Sequence, residues 1–167
     1  IRDANPVIFL EHKMLYMEST GVVPEQDYAI PIGKGDIKRQ GTDVTVVATM
    51  AMVPRALSAA RVLEREGISV EVLDPRTLRP LDEELILSSV AKTNRLIIAH
   101  EACKNGGFGA EVAALVVEKG FDDLDAPIVR VGGLDVPIPY NDALEREVIP
   151  SQERLMEAIR NLVRNGI

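Results

Sequence analysis

The sequence predicts an α/β fold: three αβα layers around a mostly parallel sheet. Three observations predict it. From Thr42 onward, short β-branched apolar runs alternate with segments that carry apolar residues at helical spacing, the pattern of strands joined by right-handed helical crossovers. The strand runs lack a regular polar alternation, as strands covered on both faces do. Aromatic residues make up 4% of the chain and tryptophan is absent, so aliphatic side chains must fill the space between layers.

The elements follow in order. Residues 44–49 are short, apolar and β-branched, and predict the first core strand. Pro54 then opens a helix, in whose first turn a missing amide costs least. Val53, Leu57, Ala60 and Leu63 give that helix one apolar stripe, and Gly67 stops it. Residues 68–73 predict a second strand. Asp82 is placed to cap a helix carrying Leu85, Ile86 and Val90. Residues 95–99 predict a third strand that ends at His100 and Glu101. The turn Gly106-Gly107-Phe108-Gly109 leads into a helix through Ala113, Ala114 and Val117. Residues 128–131 predict a fourth strand, and Ser151 caps a last helix with Leu155, Ile159 and Leu162 on one side.

Residues 1–41 have a different character. Pro6-Val7-Ile8-Phe9-Leu10 reads as a buried strand, yet no helix follows at the usual distance. Instead comes a stretch punctuated by Gly21, Pro24, Pro31, Gly33, Gly35 and Gly41. With Ile1 in place of an initiator methionine, the expectation is a fragment whose first strand belongs to the sheet of a preceding domain.

The 167 residues carry a net charge of -7, which argues against partners that need positive surface, nucleic acid and anionic membranes among them. No run approaches the ~20 apolar residues of a membrane span, and no secretory leader is seen. The single cysteine, Cys103, cannot form an internal disulfide and is too few for a structural zinc site. A reducing cytoplasm or an organelle matrix is the expected setting.

Chemistry-bearing residues are sparse. The two histidines, His12 and His100, each neighbour a glutamate, Glu11 and Glu101. Both pairs fall at the carboxyl end of a predicted strand, where open α/β sheets place ligands. Acid–base work is open to them, but polar residues that close a strand or line an interface are commoner. The loop from Gly106 to Gly109 could present amides to a phosphate; it lacks the third glycine of the dinucleotide fingerprint, which makes close helix packing the better reading. Cys103 beside Lys104 could be a lowered-pKa thiol, although nothing in the sequence supplies its base. Arg76 and Arg79 project from a proline-fixed turn between Asp74 and Asp82, suited to an anion or to a salt-bridged interface. No self-sufficient catalytic motif is present.

Several runs together carry a resemblance: Ile1-Arg2-Asp3-Ala4-Asn5-Pro6 with Glu11-His12-Lys13, Tyr28-Ala29-Ile30-Pro31-Ile32-Gly33-Lys34, Asp74-Pro75-Arg76-Thr77-Leu78-Arg79-Pro80-Leu81-Asp82, His100-Glu101-Ala102, Gly106-Gly107-Phe108-Gly109-Ala110-Glu111 and Asp135-Val136-Pro137-Ile138-Pro139-Tyr140. In this order they resemble the beta subunit of thiamine diphosphate-dependent 2-oxo acid dehydrogenases, the family of the pyruvate, branched-chain 2-oxo acid and acetoin enzymes. The resemblance implies that residues 1–12 hold the last strand of a truncated pyrimidine-binding domain, 13–41 a linker, and 42–167 a transketolase-type C-terminal domain.

It further implies a subunit of an oxidoreductase that decarboxylates a pyruvate-type substrate and passes the acyl group to lipoyl. Thiamine diphosphate and magnesium belong to the holoenzyme; the family's cofactor glutamate and active-site histidine have no counterpart here, so the chain alone is expected to be inactive. Ile1, Asp3 and Asn5 match three positions of a segment that binds potassium through backbone carbonyls, an incomplete site in this chain. The implied partners are the alpha subunit and a second beta subunit, in an α2β2 heterotetramer, and a dihydrolipoyl acyltransferase core. Arg76, Arg79, His100, Glu101, Gly107 and Phe108 become interface candidates. The alternative is a non-catalytic α/β module for assembly or ligand binding.

Overall fold

β2 (Val44–Ala48) and β4 (Leu96–Cys103) lie side by side at the centre of a five-stranded sheet. β3 (Val70–Asp74) flanks β2, β5 (Val129–Gly133) flanks β4, and all four run parallel. β1 (Asp36–Arg39) adds an antiparallel edge against β3, which gives the order β1-β3-β2-β4-β5. The computed structural model describes residues 2–165.

Two helical layers cover the sheet, as the unalternated strands predict. On one face α2 (Met52–Glu64) and α6 (Gln152–Asn165) pack Ala56, Ala60, Leu63, Leu155, Ile159 and Leu162 onto Val44, Val46, Val72 and Ile97. On the other, α3 (Glu83–Thr93) and α4 (Phe108–Gly120) pack Ile86, Val90, Val112 and Val116 onto Val47, Leu73, Leu96 and Ile98. Successive strand residues point to opposite faces, so each strand serves both cores. A short α1 (Leu15–Glu18) and a helix α5 (Asp142–Val148) lie outside these layers.

The capping chemistry read from the sequence is present. Asp82 accepts from the Leu85 amide at 3.3 Å, Ser151 accepts from the Arg154 amide at 3.2 Å, and Gly67 takes φ +79° where α2 ends. α2 begins at Met52, two residues before Pro54, which occupies its first turn.

Two of the expected elements differ in the structure, and a third finds no partner strand in it. Pro6-Val7-Ile8-Phe9-Leu10 forms no ladder; its side chains are exposed, Ile8 at 87%. A strand holds together only through a neighbour's hydrogen bonds, and none runs alongside it among the described residues. The third core strand does not end at residue 99 but continues to Cys103, so Cys103 closes a strand and is half-buried rather than lying free in the turn. Within the stretch read as linker, Asp36–Arg39 pairs with β3.

Candidate functional site at the carboxyl edge of the sheet

The chain leaves β2 for β3 on one side and β4 for β5 on the other. The crevice between the carboxyl ends of β2 and β4 is therefore the topological switch point, where open α/β sheets take their ligands. His100 and Glu101 lie there, within the last four residues of β4. Pairing with β5 slips between Ala99 and Cys103, an irregularity of the kind that re-aims side chains. The two neighbours diverge to opposite faces: His100 toward α4, Glu101 toward α2.

His100 is 4% exposed and enclosed by glycine. A Cβ on Gly109 would stand 2.4 Å from Nε2, one on Gly107 2.8 Å from Cε1, and one on Gly132 3.3 Å from Cε1. Gly107 and Gly109 give the ring its place against the start of α4, the close-packing role favoured for their turn over phosphate binding. Neither ring nitrogen has a hydrogen-bond partner. Burial, with Arg130 nearby adding repulsion, pushes the His100 pKa below its usual value. Arg130 donates to the Lys104 carbonyl at 2.9 Å and Arg154 to the Gly132 carbonyl at 3.3 Å. Burial and Arg130 thus both disfavour the charged ring, which fills the space itself.

On the other face the two His–Glu pairs of the sequence meet crosswise. His12 Nε2 lies 2.7 Å from Glu101 Oε2, with the two side chains 21% and 22% exposed. Arg55, in the first turn of α2, stands 3.8 Å from the other Glu101 oxygen and donates to the Pro150 carbonyl at 2.9 Å. Glu11 turns away and accepts from the Tyr16 hydroxyl. Arg55 was not singled out from the sequence, and no motif spacing relates residue 12 to residue 101.

The remaining candidates are dispersed. Arg76, in a left-handed conformation with φ 56°, donates to Asp36 at 2.6 Å and so ties the β3 turn to edge strand β1. Arg79 is exposed. Gly107 is the residue preceding α4, and Phe108 packs against the α3/α4 core. Cys103 Sγ lies 3.3 Å from the Asn105 carbonyl. Asp3 accepts from the Asn5 amide at 2.8 Å and from its side chain at 3.1 Å, and the backbone bond holds its carboxyl below the usual range. Ile1 lies outside the described residues. Among the described residues no three His, Cys, Asp or Glu side chains converge as a metal site, and no helix is long and apolar enough to cross a membrane.

Comparison with known proteins adds to this geometry. Residues 33–155 match the family model "Transketolase, C-terminal domain". Across its whole length the chain is 46% identical to the mitochondrial pyruvate dehydrogenase E1 component subunit beta of Pisum sativum, of which it covers 47%. It is 47% identical over 98% of its length to the acetoin:2,6-dichlorophenolindophenol oxidoreductase subunit beta of Bacillus subtilis, again covering 47% of that protein. A solved split-gene transketolase, described as an inactive beta4 tetramer, superposes with a TM-score of 0.72 at 32% identity, over 86% of this chain and 45% of that one. The chain spans about half the length of the curated relatives it matches.

Proposed function

The chain belongs to the transketolase C-terminal domain family, and from that membership we propose that it is the second half of a beta subunit in a thiamine diphosphate-dependent 2-oxo acid dehydrogenase of the pyruvate type. The observation that carries this reading is 46% identity to one such beta subunit along the whole chain. The reaction is oxidative decarboxylation with transfer of the acyl group to lipoyl, and this region serves assembly rather than chemistry.

The residues present do not fit the diphosphate's metal. Among the described residues no three-ligand cluster of His, Cys, Asp or Glu exists, and buried His100 is packed into glycine with no donor set around it. No step through thiamine diphosphate or magnesium is derived from these residues. A potassium ion would be held in part by backbone carbonyls of Asp3 and Asn5.

Residues 1–12 are proposed to complete the sheet of the preceding domain, which would cover Ile8 and Phe9, 87% and 80% exposed here. The alpha subunit and a second beta subunit would bury the loop carrying Val136, Ile138 and Tyr140, all exposed, together with Arg79 and the groove formed by Val117, Phe121, Pro127 and Ile128 between α4 and β5. The acyltransferase core would dock on the assembled tetramer. The setting is an organelle matrix or a bacterial or archaeal cytoplasm.

Reconstitution with an alpha subunit tests the reading. The full-length beta subunit is expected to give 2-oxo acid decarboxylation that depends on thiamine diphosphate. The 167-residue chain should give none, yet should bind the alpha subunit and compete with the full-length protein. A chain that neither binds nor competes overturns it.

A further inference from the structure

We propose that His12, Glu101 and Arg55 form a latch that fastens the amino-terminal segment over the switch-point crevice, with His12 and Glu101 as its two positioning residues. The inference rests on this chain's geometry and holds whatever reaction the whole protein catalyses.

The polar contacts of residues 2–32 are almost all internal. Arg2 pairs with Asp27, Asn5 with Asp3, and Tyr16 with Glu11. Leu15, Tyr16 and Ser19 donate to carbonyls within the same segment. Among the described residues, the one hydrogen bond or ion pair from residues 2–32 to the sheet domain is His12 to Glu101. The next attachments follow later in the chain, where the Gly33 amide reaches Thr77 Oγ1 at 3.1 Å and the Gly35 amide reaches Asp82 at 3.0 Å.

The receiving side is built for the contact. Glu101 stands at the end of β4 with Arg55 on its other oxygen, and Arg55 is itself anchored on the Pro150 carbonyl ahead of α6. The carboxylate thus faces Arg55 of α2 on one oxygen and His12 on the other. His12 Nδ1 is buried, so the ring is seated in the crevice rather than lying across it. The turn out of β2 passes through Met50 in a left-handed conformation, φ 51°, a strain that persists only where surrounding structure holds it. The charged and titratable groups facing His12 are Glu101 from β4 and Arg55 from α2, with Glu11 beside it drawn off by Tyr16.

Lys13 is exposed and follows the latch directly, so tryptic cleavage after it, read by mass spectrometry, reports release. For a charge-assisted contact of this partial burial, His12→Ala and Glu101→Ala are each expected to speed that cleavage about 5- to 30-fold. The double variant should be no faster than the faster single, because the two residues act as one pair. His12→Gln keeps a donor and should retain most of the protection. An unchanged urea midpoint in the single variants separates release of the segment from loss of the fold; where a midpoint does shift, amide exchange of residues 11–16 in the urea-free state gives the same comparison. Unchanged cleavage in both single variants, or a double variant whose rate equals the product of the two effects, overturns the latch.

Discussion

His100 shows how one buried side chain fixes the identity of its neighbours. Its ring occupies the volume that side chains at residues 107 and 109 would need, so glycine at those two positions is a packing requirement. Gly109→Ala would place a Cβ 2.4 Å from Nε2 of a ring that is 4% exposed and has nowhere to retreat. Overpacking of this kind costs about 1–3 kcal/mol, and urea unfolding of the variant should show a loss in that range. The same burial sets a pH dependence. The pKa of His100 is lowered in the folded chain, whereas the unfolded chain titrates near ~6.5, so as pH falls the unfolded state takes up the proton first. The stability contributed by the neutral ring is complete above about pH 6.5 and declines as the pH falls from there toward the lowered native value. Urea midpoints taken across that window should fall with pH in the parent chain, and the slope should be smaller in His100→Asn, which cannot titrate.

At the scale of elements, a second buried group joins three of them at the opposite end of the sheet. Glu71 on β3 is fully buried. It accepts from Lys92 and Ser89 of α3 and from the Gly41 amide at 3.3 Å. Thr45 of β2 extends the network at 2.8 Å to both Ser89 and Thr93. Removing one partner of a buried pair leaves an uncompensated charge, at about 3–5 kcal/mol when both groups are enclosed. The Lys92 side chain is 37% exposed, and water can reach part of the site, so Lys92→Met is expected to cost about 2–3 kcal/mol. Adding Glu71→Gln, which removes the charge and keeps an acceptor for Gly41 and Ser89, should recover most of that loss in urea titrations. None of this network was legible in the sequence, where Glu71 was one polar residue in an apolar run. The core strands were legible because β-branched runs state their own burial. β1, Asp-Ile-Lys-Arg, was not, because edge strands carry charge and have no apolar signature. Pro6-Val7-Ile8-Phe9-Leu10 is the converse case: an apolar run shows that burial is required, but not which surface provides it. Of the candidate site, the two His–Glu dipeptides were visible, whereas their crosswise meeting needs the fold.

Over the whole molecule, apolar surface is divided unequally. The two cores exclude water from Leu63, Leu73, Ile97 and Leu155 altogether, while Val7, Ile8, Phe9, Leu10, Met17, Val22 and Val23 are 51–98% exposed within one amino-terminal stretch. Exposed contiguous apolar surface of this kind marks an interaction face or drives association. Opposing association is the net charge of -7, which keeps copies apart most strongly at low ionic strength. The balance predicts that the chain by itself associates in a concentration-dependent way, and more as salt screens the repulsion. Light scattering on eluted fractions should then report a mass above 18.3 kDa that rises with added chloride. Replacing Ile8 and Phe9 by serine should lower that mass without moving the urea midpoint, because neither side chain reaches either core. A mass of 18.3 kDa at every protein and salt concentration would mean that the apolar stretch folds back on its own chain, and that charge repulsion is not what limits association.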